Sequence, residues 1–236
     1  NKPNASSAIN NNDYRDTGDS NCCYPLIDIF HISENDVRQA IRKLKPKSTY
    51  GHDEIPAFVI RDCGEIFLGP LYHIFNLALK SGVFPDLWKL SRIRPIFKNG
   101  DIHNVCNYRP IALLSVFSKI FESIIHAKLS FSLTRRLSPK QHGFIQGRST
   151  ITNLFEITQY ISDKLDNNSQ VDVVYMDLAK AFDRIDHQLL LKKLLNFGFS
   201  EHFIKFFRSY LSMRKQAVYY MGFHSEYYTQ ESGVPQ

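Results

Sequence analysis

The chain has 236 residues, 43% of them hydrophobic and 22% charged, with a net charge of +6. This is the composition of an ordinary soluble globular protein, long enough for one large domain or two small ones with a sizeable core. The longest uncharged apolar stretch lies within Ile66 to Leu79, too short to span a bilayer, and Cys22, Cys23, Cys63 and Cys106 show neither a CxxC pair nor a His partner at zinc spacing, so they read as buried or incidental thiols of a reducing compartment.

Residues 1–30 read as a linker or disordered terminus, since Asn1 to Cys23 is rich in Asn, Ser and Asp. Ser33 to Asp36 has the form of a capping box. Val37, Ala40, Ile41 and Leu44 then recur at helical spacing, predicting a first amphipathic helix. Lys45 to Pro56 is a loop. A second helical region runs from about Ala57 to Lys80, interrupted near Gly64 and at Gly69–Pro70 and stopped by Gly82. Leu90 to Lys98 alternates as a strand, Asn99–Gly100–Asp101 signals a turn, and Tyr108 to Leu114 is the returning strand. Two long helices follow, with apolar faces on Phe117 to Leu129 and on Leu154 to Leu165. Val171 to Met176 is a short apolar strand. Asp186 and Ser200 are N-caps of two further helices separated at Gly198, and Ala217 to Tyr228 is a hairpin or strand pair. The fold class is α/β with long helices and few strands.

Charge is unevenly spread. Trp88 to Arg148 carries eleven Lys or Arg against Asp101 and Glu122, a local +9, leaving −3 for the rest of the chain. Such an excess suits a polyanion such as nucleic acid or a triphosphate, although charge alone slightly favours a solvated basic surface.

The segment "VDVVYMDLAKAFDRIDH", Val171 to His187, carries the chemistry. A carboxylate held at a strand end is a hard oxygen donor of the kind Mg²⁺ takes, although an aspartate after a strand is more often a helix N-cap. The longer pattern, D-L-x-K-A-F-D from Asp177, resembles motif A of reverse transcriptases in the form typical of non-LTR (LINE-type) retrotransposons. Four further blocks resemble the same family in order and spacing. They are "KLKPKSTYGHDEIP" (Lys43–Pro56), "WKLSRIRPIFKNGD" with "NYRPIALLSVFSKIFE" (Trp88–Glu122), "QHGFIQGRST" (Gln141–Thr150) and "SGVPQ" (Ser232–Gln236).

The resemblance implies a right-hand polymerase: fingers over 31–170, the first half of the palm over 171–236 with an incomplete antiparallel sheet, and no thumb. It implies RNA-directed DNA polymerase activity with an RNA template, a DNA primer and dNTPs, no membrane, and Mg²⁺ or Mn²⁺ as cofactor. Asp177 would be the first metal-binding carboxylate and the Leu178 carbonyl would touch the same metal. Asp183 and Asp186 would orient or cap. Phe182 would be the aromatic steric gate that excludes a 2′-hydroxyl. Lys98 and Arg109 would close over the triphosphate. Arg148 and Ser149 would meet template or triphosphate, and Gly233 and Gln236 would lie near the nascent base pair. Read locally, without the motif, Phe182 is by default a core aromatic, Lys98 is as readily an exposed turn lysine, and Ser149 or Thr150 caps a helix whatever else it meets.

The family draws further metal-binding aspartates from a downstream aromatic-x-DD hairpin, and no two adjacent aspartates occur in this chain. Asn1 and Gln236 both read as cuts in a longer polypeptide, the missing hairpin reads as truncation, and the piece alone is expected to be inactive. An upstream endonuclease domain and residence in nucleus and cytoplasm are further expectations from the resemblance. The competing readings are a decayed or domesticated remnant that only binds nucleic acid, and a group II intron or telomerase-like relative. The NYRPI and GRST blocks favour the LINE-type family over the latter.

Overall fold

A computed structural model describes residues 26–235. Seven helices and five strands form among the described residues, in the order α1 (Glu34–Arg42), α2 (Ala57–Asp62), α3 (Gly64–Ser81), β1 (Leu90–Phe97), β2 (Tyr108–Leu114), α4 (Val116–Thr134), α5 (Thr150–Asp166), α6 (His187–Asn196), α7 (Glu201–Leu211), β3 (Lys215–Tyr220), β4 (Phe223–His224) and β5 (Tyr228–Thr229).

Local capping chemistry sets most helix boundaries. The Ser33 hydroxyl accepts from Asp36 N–H and the Asp36 carboxylate accepts from Ser33 N–H, closing the expected box at α1. Asp186 and Ser200 cap α6 and α7, and Gly82 ends α3 with a left-handed φ of 67°. The expected interruption at Gly69–Pro70 does not occur, and α3 runs through Pro70; the chain breaks only at Cys63. Gly69 and Pro70 face solvent, so water can take the place of the lost ladder bond.

The core is helical. It joins α1, α3, α4 and α7 around an aromatic cluster in which Phe121 stacks on Phe75 with centroids 4.5 Å apart, and Phe84 meets Tyr210 at 4.9 Å. Ile27 and Ile29, at the edge of the segment read as a linker, are buried in this core, and Ile27 makes a parallel bridge to Phe199. Residues 1–25, with Cys22 and Cys23, lie outside the described residues. Cys63 and Cys106 are exposed free thiols, not buried ones.

The sheet has the order β2-β1-β3-β4, with β5 also on β3. The expected hairpin pairs β1 with β2 antiparallel, Ser91 opposite Leu114 through Phe97 opposite Tyr108. β4 and β5 pair antiparallel with β3. The sheet is nevertheless mixed, because β3 runs parallel to β1, from Leu90 beside Lys215 to Ile93 beside Val218. Ile93 and Ala217 are buried along this seam.

The loop before α2 docks on the corner between β2 and α4. The Ser115 hydroxyl donates to the Asp53 carboxylate at 2.5 Å and accepts from Phe117 N–H at 3.2 Å. Gly51 is buried so closely that a Cβ would lie 2.6 Å from Ser115 N and 2.7 Å from the Leu114 carbonyl carbon. Backbone cannot yield as a side chain can, so Gly51→Ala is expected to destabilise the fold by about 1–3 kcal/mol. A thermal-unfolding midpoint unchanged within error would contradict this packing.

One segment departs from its sequence pattern. Val171 to Met176 is not a strand: residues 171–178 have no strand pairing, and Val174, Tyr175 and Met176 are 81%, 86% and 89% exposed. A run of β-prone residues becomes a strand only when another strand takes up its N–H and C=O groups. None lies beside it among the described residues. The helix α5 likewise has no buried residue, so its Leu154–Leu165 face is apolar but uncovered. No helix among the described residues is long and apolar enough to cross a membrane.

Candidate nucleotide and nucleic-acid site

Lys98 and Arg109 share the tip of the β1–β2 hairpin. Lys98 follows β1 directly, and its N–H donates to the Asn107 carbonyl at 2.8 Å. Arg109 lies opposite Ile96. Side chains alternate along a strand, so Arg92, Arg94, Ile96 and Lys98 share one face with Arg109. Both tip cations are exposed. The connecting loop is longer than a two-residue turn and is tied by Asn107 Nδ2 donating to the Asp101 carbonyl and Tyr108 OH to the Ile102 carbonyl, each at 2.9 Å.

Further down the same face lies a groove that the sequence did not disclose. Arg92 donates to the Glu54 carboxylate at 2.5 Å, and its guanidinium sits 4.5 Å from the Tyr219 ring centroid and 5.2 Å from that of Tyr50. Burial opposes its charge, yet the Glu54 bond and the two tyrosines hold its pKa above the usual arginine value. Ser48, Thr49, Arg94, Leu113 and Tyr220 to Gly222 complete the lining. The residues come from distant stretches, and the signal for such a meeting would have been the β1–β3 pairing.

Asp177 and Leu178 lie on the unpaired segment, both exposed. Phe182 follows in a turn over residues 179–184, closed by Asp183 N–H and Arg184 N–H donating to the Lys180 carbonyl at 3.1 and 3.2 Å. The Phe182 ring is 37% exposed and meets Phe144 edge-on at 5.9 Å. Phe182 is therefore not a plain core aromatic. Asp186 caps α6, accepting from Leu189 N–H at 2.7 Å. Asp183 contributes its backbone carbonyl rather than its carboxylate, accepting from the Ser232 hydroxyl at 3.0 Å.

The Gln141–Thr150 block is braced by its own residues. Arg148 donates to the carbonyls of Pro139 and, at 2.6 Å, Gln141, so its guanidinium shapes the loop. Ser149 caps α5 in a box with Thr152. His142 is buried and reaches Thr152 Oγ1 at 2.9 Å and the Glu156 carboxylate at 3.2 Å.

The Ser232–Val234 segment docks on the Phe182 turn. Gly233 N–H donates to the Ile185 carbonyl at 2.8 Å and Val234 N–H to the Phe182 carbonyl at 3.0 Å. Gly233 has a φ of +83°, and a Cβ there would lie 2.8 Å from Asp183 Cα and from the Phe182 and Asp183 carbonyl oxygens. Gln236 lies outside the described residues. The structure thus brings Phe144, Phe182 and Gly233 together, three residues from three separate sequence blocks.

Asp177 offers a hard oxygen suited to Mg²⁺, but one carboxylate does not make a metal centre. Among the described residues no group of three or more His, Cys, Asp or Glu side chains is placed to hold an ion.

The mixed sheet with its basic hairpin, and the turn clasped by Ser232–Val234, fit part of a polymerase fold. The family model described as reverse transcriptase (RNA-dependent DNA polymerase) matches residues 96–236, and the chain belongs to that family. It is 31% identical over 208 residues to a probable RNA-directed DNA polymerase from transposon BS of Drosophila melanogaster, covering 87% of this chain and 23% of that protein. It is 30% identical to the RNA-directed DNA polymerase from mobile element jockey of Drosophila funebris, with the same coverage. A Pol polyprotein from the type-1 retrotransposable element R2 of Popillia japonica is 30% identical over 126 residues, 53% of this chain and 17% of that protein. The chain thus spans less than a quarter of the length of these relatives. Reverse transcriptases act on nucleic acids and use divalent metal ions.

Proposed function

We propose that this chain is the nucleotide-handling part of an RNA-directed DNA polymerase of a non-LTR retrotransposon. The observation that carries the reading is the clasp of Ser232–Val234 on the turn that bears Phe182, five residues after Asp177. An exposed aromatic is held there by backbone bonds on one side and Phe144 on the other, as a residue that must discriminate by shape requires.

In this reading an RNA template and a DNA primer are extended with dNTPs. Lys98 and Arg109 grip the triphosphate, Arg109 by its planar fork and Lys98 as a compact charge. Phe182 stands under the sugar and leaves no room for a 2′-hydroxyl. The backbone at Gly233 and the side chain of Gln236 border the nascent pair. Ser149 and the loop that Arg148 shapes face the template. Mg²⁺ or Mn²⁺, held by Asp177 and the Leu178 carbonyl together with carboxylates that these residues do not supply, would neutralise charge on the phosphates. The full-length protein would also carry an endonuclease domain and work in nucleus and cytoplasm.

Primer extension on an RNA template tests this. The full-length polypeptide is expected to extend the primer, Asp177→Asn to fall to background, and the 236-residue chain alone to show no activity. Retained activity in the Asp177 variant, or robust Mg²⁺-dependent extension by the short chain, contradicts the assignment. Salt-dependent RNA binding without extension by the full-length protein would identify a non-catalytic remnant instead.

A further inference from the structure

His187 is the first residue of α6, next to its cap Asp186, and nothing in the sequence singles it out. Its Nε2 lies 2.6 Å from the Gly233 carbonyl oxygen, across 46 positions of sequence. A carbonyl only accepts, so Nε2 must carry the proton and His187 is the donor. This holds for the neutral ring protonated at Nε2 and for the imidazolium alike.

The direction of this bond sets it apart from its neighbours. Three donors of the docked segment, the Ser232 hydroxyl and the N–H groups of Gly233 and Val234, point at the carbonyls of Asp183, Ile185 and Phe182. The His187 bond runs the other way, from the turn side to the docked segment. It grips the Gly233 peptide from its carbonyl while Ile185 holds the same residue by its N–H. Gly233 sits in the left-handed region with no Cβ, against the backbone of Phe182 and Asp183. Gly233 has no side chain of its own to hold it, so its position depends on these hydrogen bonds together with the packing of Val234 against the core. The adjoining N–H, that of Val234, fixes the carbonyl of Phe182 itself.

We propose that His187 is a positioning residue: it holds the Gly233–Val234 clasp closed and thereby fixes the Phe182 ring at the height at which it selects against a ribose 2′-hydroxyl. The proposal rests on the reading of Phe182 as the sugar-facing aromatic. His187 touches no substrate and acts through Gly233, Val234 and the Phe182 backbone.

The test measures, in the full-length polymerase, the ratio of dNTP to rNTP incorporation efficiency, with kcat and KM resolved for each. His187→Phe keeps the ring volume and loses the donor, and it is expected to lower the ratio by about three- to tenfold, the worth of one neutral hydrogen bond. The change should appear as improved rNTP use rather than as a uniform loss. His187→Gln carries an amide donor at a reach similar to Nε2 and is expected to stay within about twofold of the parent. His187→Asn, whose donor is too short to reach, should resemble the Phe variant even if the latter folds poorly. Phe182→Val serves as the reference for the gate itself. If Phe182→Val relaxes the ratio and the Phe and Asn variants at 187 do not, the positioning role is overturned. If Phe182→Val leaves the ratio unchanged, the gate reading falls, and the sugar consequence with it. Hydrogen exchange at the Gly233 and Val234 amides reads the clasp separately. Exchange is expected to quicken in His187→Phe but not in His187→Gln, and no change in either overturns the clasp.

Discussion

Replacing Arg214 by alanine is expected to destabilise the fold by about 2–3 kcal/mol at neutral pH, through the packing, the hydrogen bond and the charge that a buried arginine supplies. Arg214 is 1% exposed at the foot of β3. Its Nη1 donates to the Tyr210 carbonyl at 3.1 Å, its guanidinium lies 5.0 Å from the Tyr210 ring centroid, and its Nη2 has no hydrogen-bond partner among the described residues. Glu122 on α4 lies within electrostatic reach, and its carboxylate accepts from the Ser118 hydroxyl at 2.7 Å. Burial pushes the Glu122 carboxyl above the usual carboxylate range, while Ser118 and Arg214 pull it back. A raised carboxyl contributes stability that is fully present below its unfolded pKa and lost as pH rises through the folded one. Removing Arg214 takes away a group that restrains the rise, so the cost should be smaller in acid and grow toward neutrality. Glu122→Gln should flatten that dependence, and the double variant should cost less than the two singles added. Urea unfolding at several pH values measures this. A penalty independent of pH, or strict additivity, would show that Arg214 is not the counter-charge of Glu122.

A larger loss is expected from Phe121→Ala, by a different route. Phe121 is fully buried and touches four aromatic residues. It stacks on Phe75 at 4.5 Å with planes 3° apart, lies 5.9 Å from Phe84, and meets Phe206 and Trp88 edge-on at 5.6 and 6.2 Å. These rings come from α3, α4, α7 and the turn before β1, so no single element can relax into the hole. The expected cost is about 3–5 kcal/mol, since lost transfer energy and the residual cavity add, or a fall in Tm of roughly 6–20 °C for a chain of this size. Phe121→Leu, which keeps much of the volume, should cost under about 1.5 kcal/mol. Equal midpoints for the two variants would mean that restoring the volume recovers nothing, and that the loss is not the cost of a cavity.

Local chemistry was legible in the sequence, and long-range chemistry was not. Ser33, Gly82, Asp186 and Ser200 announced their helix ends because a cap needs only its own few neighbours. The β1–β2 hairpin was equally plain, since its partners adjoin. Val171 to Met176 has the composition of a strand, but composition cannot supply the neighbouring strand, and the segment stays unpaired. Pro70 was read as a break because the solvent-facing side of α3 is not visible in a string of letters. Of the candidate site, the blocks themselves were readable through their resemblance to a family. Their meeting was not: Phe144 against Phe182, Gly233 under Asp183 and Arg92 between Tyr50 and Tyr219 each join residues far apart in the chain. Arg148 looked like a ligand-facing cation, and its guanidinium turns back on its own loop.

The parallel seam between β1 and β3 sets a timetable for synthesis. Lys215 lies 125 residues after its partner Leu90. At about 5–20 residues per second, a ribosome needs roughly 6–25 s to deliver β3 once β1 has emerged. Throughout that interval the β1–β2 hairpin offers a bare edge of N–H and C=O groups to any other nascent chain. Contacts so distant in sequence also close late and slowly. The chain should therefore reach its native sheet best when translation is sparse, and yield in a heterologous host should rise as expression is slowed.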